Sequence, residues 1–113
     1  MFENEIYVVR LHGECDALNY PEFRTAFSSV PSTALRILVD CSTVTLVDST
    51  FLTELLLVKR RWDREGRRSA VLLHNEQARR VMIVGNVIDR LDVFADRETA
   101  VHYLRGNPSL EPS

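Results

Sequence analysis

A short and nearly continuous apolar run from Leu35 to Val39 constrains the fold more than any other feature of the sequence. Runs of this kind are typical of strands that are covered on both faces, because a half-exposed strand alternates apolar and polar residues. Further strand-like segments are predicted at Ile6 to Leu11, Val44 to Val47, Ala70 to Leu73 and Val93-Phe94. The chain therefore predicts a sheet whose faces are packed against other elements.

Segments with helical periodicity separate most of these runs. The first lies between Asn19 and Pro31, and the others cover about residues 50–65, 76–84 and 97–105. Strands that alternate with amphipathic helices predict an α/β structure. We expect one domain over residues 1–105. Residues 106–113 contain turn formers without periodicity, which predicts a flexible C-terminal tail.

An Asp-Ser-Thr cluster joins one apolar segment, which ends at Val47, to the leucine-rich second helix. Small hydroxyl groups at this point lie where a helix has unpaired N–H groups and the positive end of its dipole. Ser49 or Thr50 could simply cap the helix, which contributes about 1 kcal/mol. Alternatively, a phosphoryl group added to this junction would find hydrogen-bond donors ready to receive it.

This junction resembles the phosphorylation loop of STAS domains, the anti-sigma-factor antagonists, whose signature is Asp-Ser-(Ser/Thr)-Gly-Leu. The sequence matches at Asp48, Ser49, Thr50 and Leu52, and it has Phe51 where the family usually has glycine. Other family features follow in the same order, and the resemblance extends from about Ile6 to Leu104. These features are the turn Gly13-Glu14-Cys15-Asp16, the strand Ile37-Leu38-Val39-Asp40, and the glycines Gly66 and Gly85.

The resemblance implies a STAS-like α/β single domain with a mixed sheet of four to five strands and about four flanking helices. It also implies an anti-sigma factor antagonist of a bacterial partner-switching pathway, which regulates transcription and binds a serine/threonine kinase anti-sigma factor. Phosphorylation of Ser49, with Thr50 as a minor site, would release that partner, and a serine phosphatase would reset the protein. The implied partner-binding residues are Asp16, Asp48, Ser49, Thr50, Phe51 and Leu52.

An alternative function within the same family is a non-phosphorylated STAS scaffold, or a module that senses a small ligand in a larger regulatory assembly. The position of Phe51 bears on both functions. Phe51 heads a helical row that continues through Leu55, Val58 and Trp62, which favours a place in the core. It could instead project from the surface as an aromatic anchor for a partner.

The remaining features argue against other classes of function. A net charge of −2 does not favour nucleic-acid binding, and no apolar run approaches the roughly 20 residues of a membrane span. The acidic start predicts a cytoplasmic protein.

Cys15 and Cys41 are expected to be buried free thiols, and no metal or cofactor site is predicted. Ser49 lies in no Gly-x-Ser-x-Gly motif, so we expect no enzyme activity. A homodimer is left open.

Charged side chains of the second helix predict two i,i+4 ion pairs, Lys59 with Asp63 and Arg61 with Glu65. The remaining arginines of this region are expected to form a solvated surface, since cations are favourable near a helix C-terminus.

Overall fold

The computed structural model describes residues 1–106, so the predicted tail lies outside the described residues except for Gly106. The sheet has five strands in the order β1-β2-β3-β4-β5. Strand β1 is antiparallel to β2, and the other neighbouring strands are parallel. This confirms the predicted mixed sheet. The strands are β1 (Phe2–Glu3), β2 (Ile6–Cys15), β3 (Arg36–Val47), β4 (Arg68–Leu72) and β5 (Val93–Phe94).

Four α-helices pack on the two faces of this sheet, as expected from the sequence. They are α1 (Tyr20–Ser28), α2 (Ser49–Arg64), α3 (Glu76–Val84) and α4 (Arg97–Leu104). Short 3-10 turns occur at Ala17–Asn19 and Ile88–Arg90. None of the helices among residues 1–106 is long and apolar enough to cross a membrane.

Alternating side chains of the strands divide the core into two layers. Ile37 and Val39 of β3 point to the layer that α1, α2 and α3 cover, whereas Leu38 lies in the layer under α4. Because both faces of β3 are buried, its sequence is a continuous apolar run rather than an alternating one. The prediction from this run is confirmed, except that Leu35 precedes the strand and is 62% exposed.

Strand β3 is one long strand where the sequence suggested two short pieces. The polar residues between those pieces interrupt the apolar pattern, but their backbone still pairs with β2 through two register shifts. Asp40 is buried in this region and accepts hydrogen bonds from Ser42 and Arg97. The two-residue strand β1 was not predicted, since Phe2–Glu3 is too short to show a periodic pattern.

Candidate functional site

The predicted junction lies at the carboxyl ends of two neighbouring parallel strands. Cys15 at the end of β2 pairs in register with Val47 at the end of β3. The residues that follow, Asp16 and Asp48, therefore lie in adjacent loops at the same edge of the sheet. Helix α2 begins directly at Ser49. The fold thus brings together the two acidic residues and the serine that the sequence singled out.

Asp48 is the N-cap of α2, so the suggestion that Ser49 or Thr50 caps this helix is wrong. The Oδ1 atom of Asp48 accepts a hydrogen bond from the Phe51 backbone N–H at 3.0 Å. Its Oδ2 atom accepts one from the Ala17 N–H at 2.9 Å, which ties the two loops together. A carboxylate at the helix N-terminus also interacts favourably with the dipole. Because Asp48 serves as the cap, the exposed hydroxyl of Ser49 is not used in capping.

Asp16 shapes the neighbouring loop in a similar way. Its Oδ1 atom accepts hydrogen bonds from the Asn19 backbone N–H at 3.2 Å and from the Asn19 side-chain amide at 2.9 Å. Asp16 thereby caps the 3-10 turn Ala17–Asn19. Leu18 in this turn is 90% exposed and so presents an apolar side chain beside the junction.

Phe51 is fully buried, which confirms the core interpretation. Its ring centroid lies 5.2 Å from that of Phe23 in an edge-to-face arrangement and 6.4 Å from that of Phe27. The placement of Phe51 among the partner-binding residues is therefore corrected, since its side chain offers no surface to a partner. The departure from the usual glycine of the signature is accommodated inside the core.

Leu52 is only 6% exposed, so it is a groove-lining residue rather than the exposed apolar rim that the sequence suggested. The groove runs between α2 and α3, has a volume of about 420 Å³, and includes Ser49 at its edge. Val81 and Val84 of α3 line its other side, and Val84 is 82% exposed. Neither valine was assigned to the site from the sequence, although their signal was present. Residues 81–84 are four consecutive apolar residues, and a helix on a sheet buries only one face.

A family model described as "Mlab, STAS domain" matches residues 2–92. The chain belongs to the STAS domain family. Similar solved structures include an anti-sigma factor antagonist from Mycobacterium paratuberculosis, with a TM-score of 0.85 and 19% identity over 93% of this chain and 90% of that one. A sulfate transporter family protein from Wolinella succinogenes has a TM-score of 0.72 and 14% identity over 93% and 88%. No curated protein matches the sequence. The predicted family and fold are confirmed.

The two cysteines of this STAS domain are both buried free thiols, as predicted. Burial raises the pKa of Cys15 to about 11, and the nearby carboxylates of Asp16, Asp48 and Glu22 add to the rise. Burial likewise raises the pKa of Cys41. The thiolate is the reactive form of cysteine, so the raised pKa values disfavour the reactive form of both side chains at neutral pH.

This edge of the STAS domain combines charged, hydroxyl and apolar side chains around the start of α2. No group of three or more potential metal ligands occurs within residues 1–106. Around the exposed Ser49 lie two half-buried carboxylates, the exposed Leu18 and the apolar groove of Leu52, Val81 and Val84. A hydroxyl in this position can be modified without disturbing the core, and modification would change the charge of the surface around it.

Proposed function

We propose that this STAS domain is an anti-sigma factor antagonist that binds a serine/threonine kinase anti-sigma factor and releases it when Ser49 is phosphorylated. The observation that carries the proposal is the exposed Ser49 hydroxyl at the first position of α2, beside a separate capping carboxylate. A kinase can reach this hydroxyl, and its modification removes no capping interaction. Thr50 is half-buried, which supports its role as a minor site.

The switch is electrostatic. A phosphate adds about −1.5 to −2 charges and three acceptor oxygens. The first N–H groups of α2 favour the added anion, whereas Asp48 and Asp16 repel it. The domain therefore tolerates the phosphate. A partner that fills the apolar groove next to Ser49 does not tolerate the phosphate, because it would bury that charge against apolar atoms.

The partner-binding surface in this proposal differs in part from that inferred from the sequence. Ser49 and Leu52 are retained, while Leu18, Val81 and Val84 join them on either side of the junction. Asp16 and Asp48 act by fixing the two loops and by adding negative charge. We further propose that a serine phosphatase reverses the modification, that the domain comprises residues 1–105 and that it works in the cytoplasm.

Phosphorylation is expected at Ser49 when the protein is incubated with ATP and the serine-kinase anti-sigma factors encoded in the same genome. The exposed hydroxyl and its position after Asp48 are the reasons. Phosphopeptide mapping by mass spectrometry should place a single phosphate on Ser49, and Ser49→Ala should remain unmodified. Equal modification of Ser49→Ala would show that the assignment is wrong.

The binding free energy of the partner is expected to weaken by at least about 1–2 kcal/mol in Ser49→Asp, because the aspartate charge is buried at the interface. Ser49→Ala should bind as wild type, and both variants should melt within a few degrees of it. Calorimetric titration with the anti-sigma factor measures the affinities. Ser32→Asp is the matched control, since this exposed serine precedes β3 at the opposite end of the strand and receives the same charge. Equal affinities of Ser49→Asp and Ser49→Ala would rule out the electrostatic switch.

A second candidate function is that of a non-phosphorylated module in a larger assembly. The observation that favours it is the structural similarity to a sulfate transporter family protein, which has the same fold in a different class of protein. In this case the same incubation with kinases and ATP would give no phosphoserine. Co-purification from native lysate would then recover a stable complex without a kinase.

A further inference from the structure

A second groove, between α1 and α2, carries a concentration of positive charge in an otherwise acidic protein. Its volume is about 280 Å³, and three arginines line it, Arg24 from α1 and Arg61 and Arg64 from α2. The only carboxylate among the lining residues is that of Glu54. The chain as a whole has a net charge of −2, so the sign of the groove is opposite to that of the molecule.

Two of these arginines, Arg61 and Arg64, form no salt bridge with a carboxylate among residues 1–106. The predicted ion pair of Arg61 with Glu65 is not formed, and Glu65 pairs with Arg67 at 3.1 Å instead. The predicted pair of Lys59 with Asp63, by contrast, is present at 2.8 Å. The side chains of Arg61 and Arg64 therefore remain available to a ligand. Their position near the C-terminus of α2 is favourable for cations because of the helix dipole. The dipole of α2 does not explain why Arg24, on α1, lines the same groove.

Arg24 approaches the same groove from α1 and is held in place by a small polar network. Its guanidinium donates to the Tyr20 hydroxyl at 2.6 Å and lies 3.5 Å from the carboxylate of Glu54. The Tyr20 hydroxyl in turn donates to Glu54 at 3.0 Å. These contacts connect α1 to α2 and orient one cation toward the groove before any ligand binds.

The floor of the groove is apolar. Phe27 and Val58 are buried beneath it, and Leu57 at its side is 52% exposed. A free phosphate would use the guanidinium groups but would cover none of this apolar surface. A membrane surface would need a larger exposed apolar face than the single side chain of Leu57. A peptide that carries both carboxylates and a bulky apolar side chain matches both properties of the groove.

We infer that the α1–α2 groove binds an acidic peptide segment of a partner, with carboxylates on Arg61 and Arg64 and an apolar side chain against Leu57. The site is separate from Ser49. Arg61 lies twelve residues further along α2, which corresponds to about 18 Å at the helical rise. The segment can therefore dock while the Ser49 surface is engaged, and phosphorylation of Ser49 does not control it.

The inference is tested with a fluorescently labelled amphipathic peptide of glutamate, alanine and leucine, and with its counterpart in which glutamine replaces glutamate. We expect the glutamate peptide to bind the wild-type protein, and we expect its affinity to fall as the salt concentration rises. Its affinity should fall about tenfold in the double variant Arg61→Ala/Arg64→Ala and change less than about twofold in Arg60→Ala/Arg90→Ala. The latter pair removes the same charge from exposed arginines that do not line the groove.

Backbone amide chemical-shift changes on addition of the glutamate peptide should concentrate at the groove-lining residues of α1 and α2, and Ser49→Asp should bind the peptide as wild type does. Equal binding of the glutamine peptide, or unchanged binding by Arg61→Ala/Arg64→Ala, would overturn the inference. So would binding of inorganic phosphate or of anionic phosphatidylglycerol vesicles at the groove without binding of the peptide. Loss of binding in Ser49→Asp would contradict the separation of the two sites.

Discussion

Replacement of Phe51 by glycine is expected to lower the free energy of unfolding by about 3–6 kcal/mol. Removal of a buried aromatic side chain accounts for about 3–5 kcal/mol, and the poor helix propensity of glycine adds up to about 1 kcal/mol. Phe51 is fully buried and packs edge-to-face against Phe23, so its removal leaves a cavity in the core and these contacts are lost. In a domain of this length the melting temperature should fall by about 12–25 °C, measured by circular dichroism.

Thr53→Gly is the matched control, because Thr53 is exposed in the same helix two residues further on. It introduces the same glycine without removal of a core side chain, so its loss should stay below about 1 kcal/mol. If Phe51→Gly had the same melting temperature as Thr53→Gly but a changed affinity for the partner, the Phe51 side chain would belong to the partner surface. That result would contradict the packing around Phe51.

The fold could be predicted from the sequence wherever one physical signal dominated a segment. Helix α3 was predicted at about residues 76–84 and spans Glu76–Val84, because Gly85 follows a clear amphipathic pattern. The central part of β3 is polar, so the hydrophobic pattern alone predicted two short strands in place of one. Its continuity follows from backbone pairing with β2. The charged partners of Asp40 are Arg10 on β2 and Arg97 more than fifty residues away. No local pattern encodes such partners.

The candidate site was predicted in its residues but only partly in their roles. The signature located Asp48 and Ser49 and, through the early turn, Asp16. Which oxygen caps α2 depended on side-chain geometry, since serine and aspartate are nearly equal as N-caps. The groove formed with Val81 and Val84 could not be located from the junction alone, because it requires α3 to pack beside α2.

Replacement of Asp40 by alanine is expected to lower the free energy of unfolding by about 2–4 kcal/mol. Its buried carboxylate accepts hydrogen bonds from the Ser42 N–H at 3.0 Å, the Ser42 hydroxyl at 2.6 Å and the Arg97 guanidinium at 3.2 Å. A buried donor that loses its acceptor costs about 1–3 kcal/mol, and the cost is lower for the half-buried Ser42 and the partly exposed Arg97. Arg97 keeps a contact with Glu3 at 2.8 Å, so the loss should be smaller than for a wholly buried ion pair.

The contribution of the Asp40 charge should depend on pH. Burial, the largest single influence, acts to raise the pKa of Asp40, but the hydrogen bonds from Ser42 and the charge of Arg97 outweigh it and lower the pKa below its usual value. A carboxyl whose pKa is lower in the folded state stabilises that state above its unfolded pKa of about 4. This stabilisation is lost as the pH falls through the folded pKa, because the protonated carboxyl no longer attracts Arg97.

Urea unfolding of wild type and Asp40→Asn between pH 7 and pH 3 tests this expectation. The asparagine variant keeps the shape and an acceptor oxygen but carries no charge, so the difference in unfolding free energy should be constant near neutral pH and shrink below about pH 4. Asp89→Asn, at an exposed carboxylate, controls for the general effect of a lost negative charge. A difference between wild type and Asp40→Asn that stayed constant down to pH 3 would mean that packing around Asp40, and not its charge, stabilises this part of the sheet.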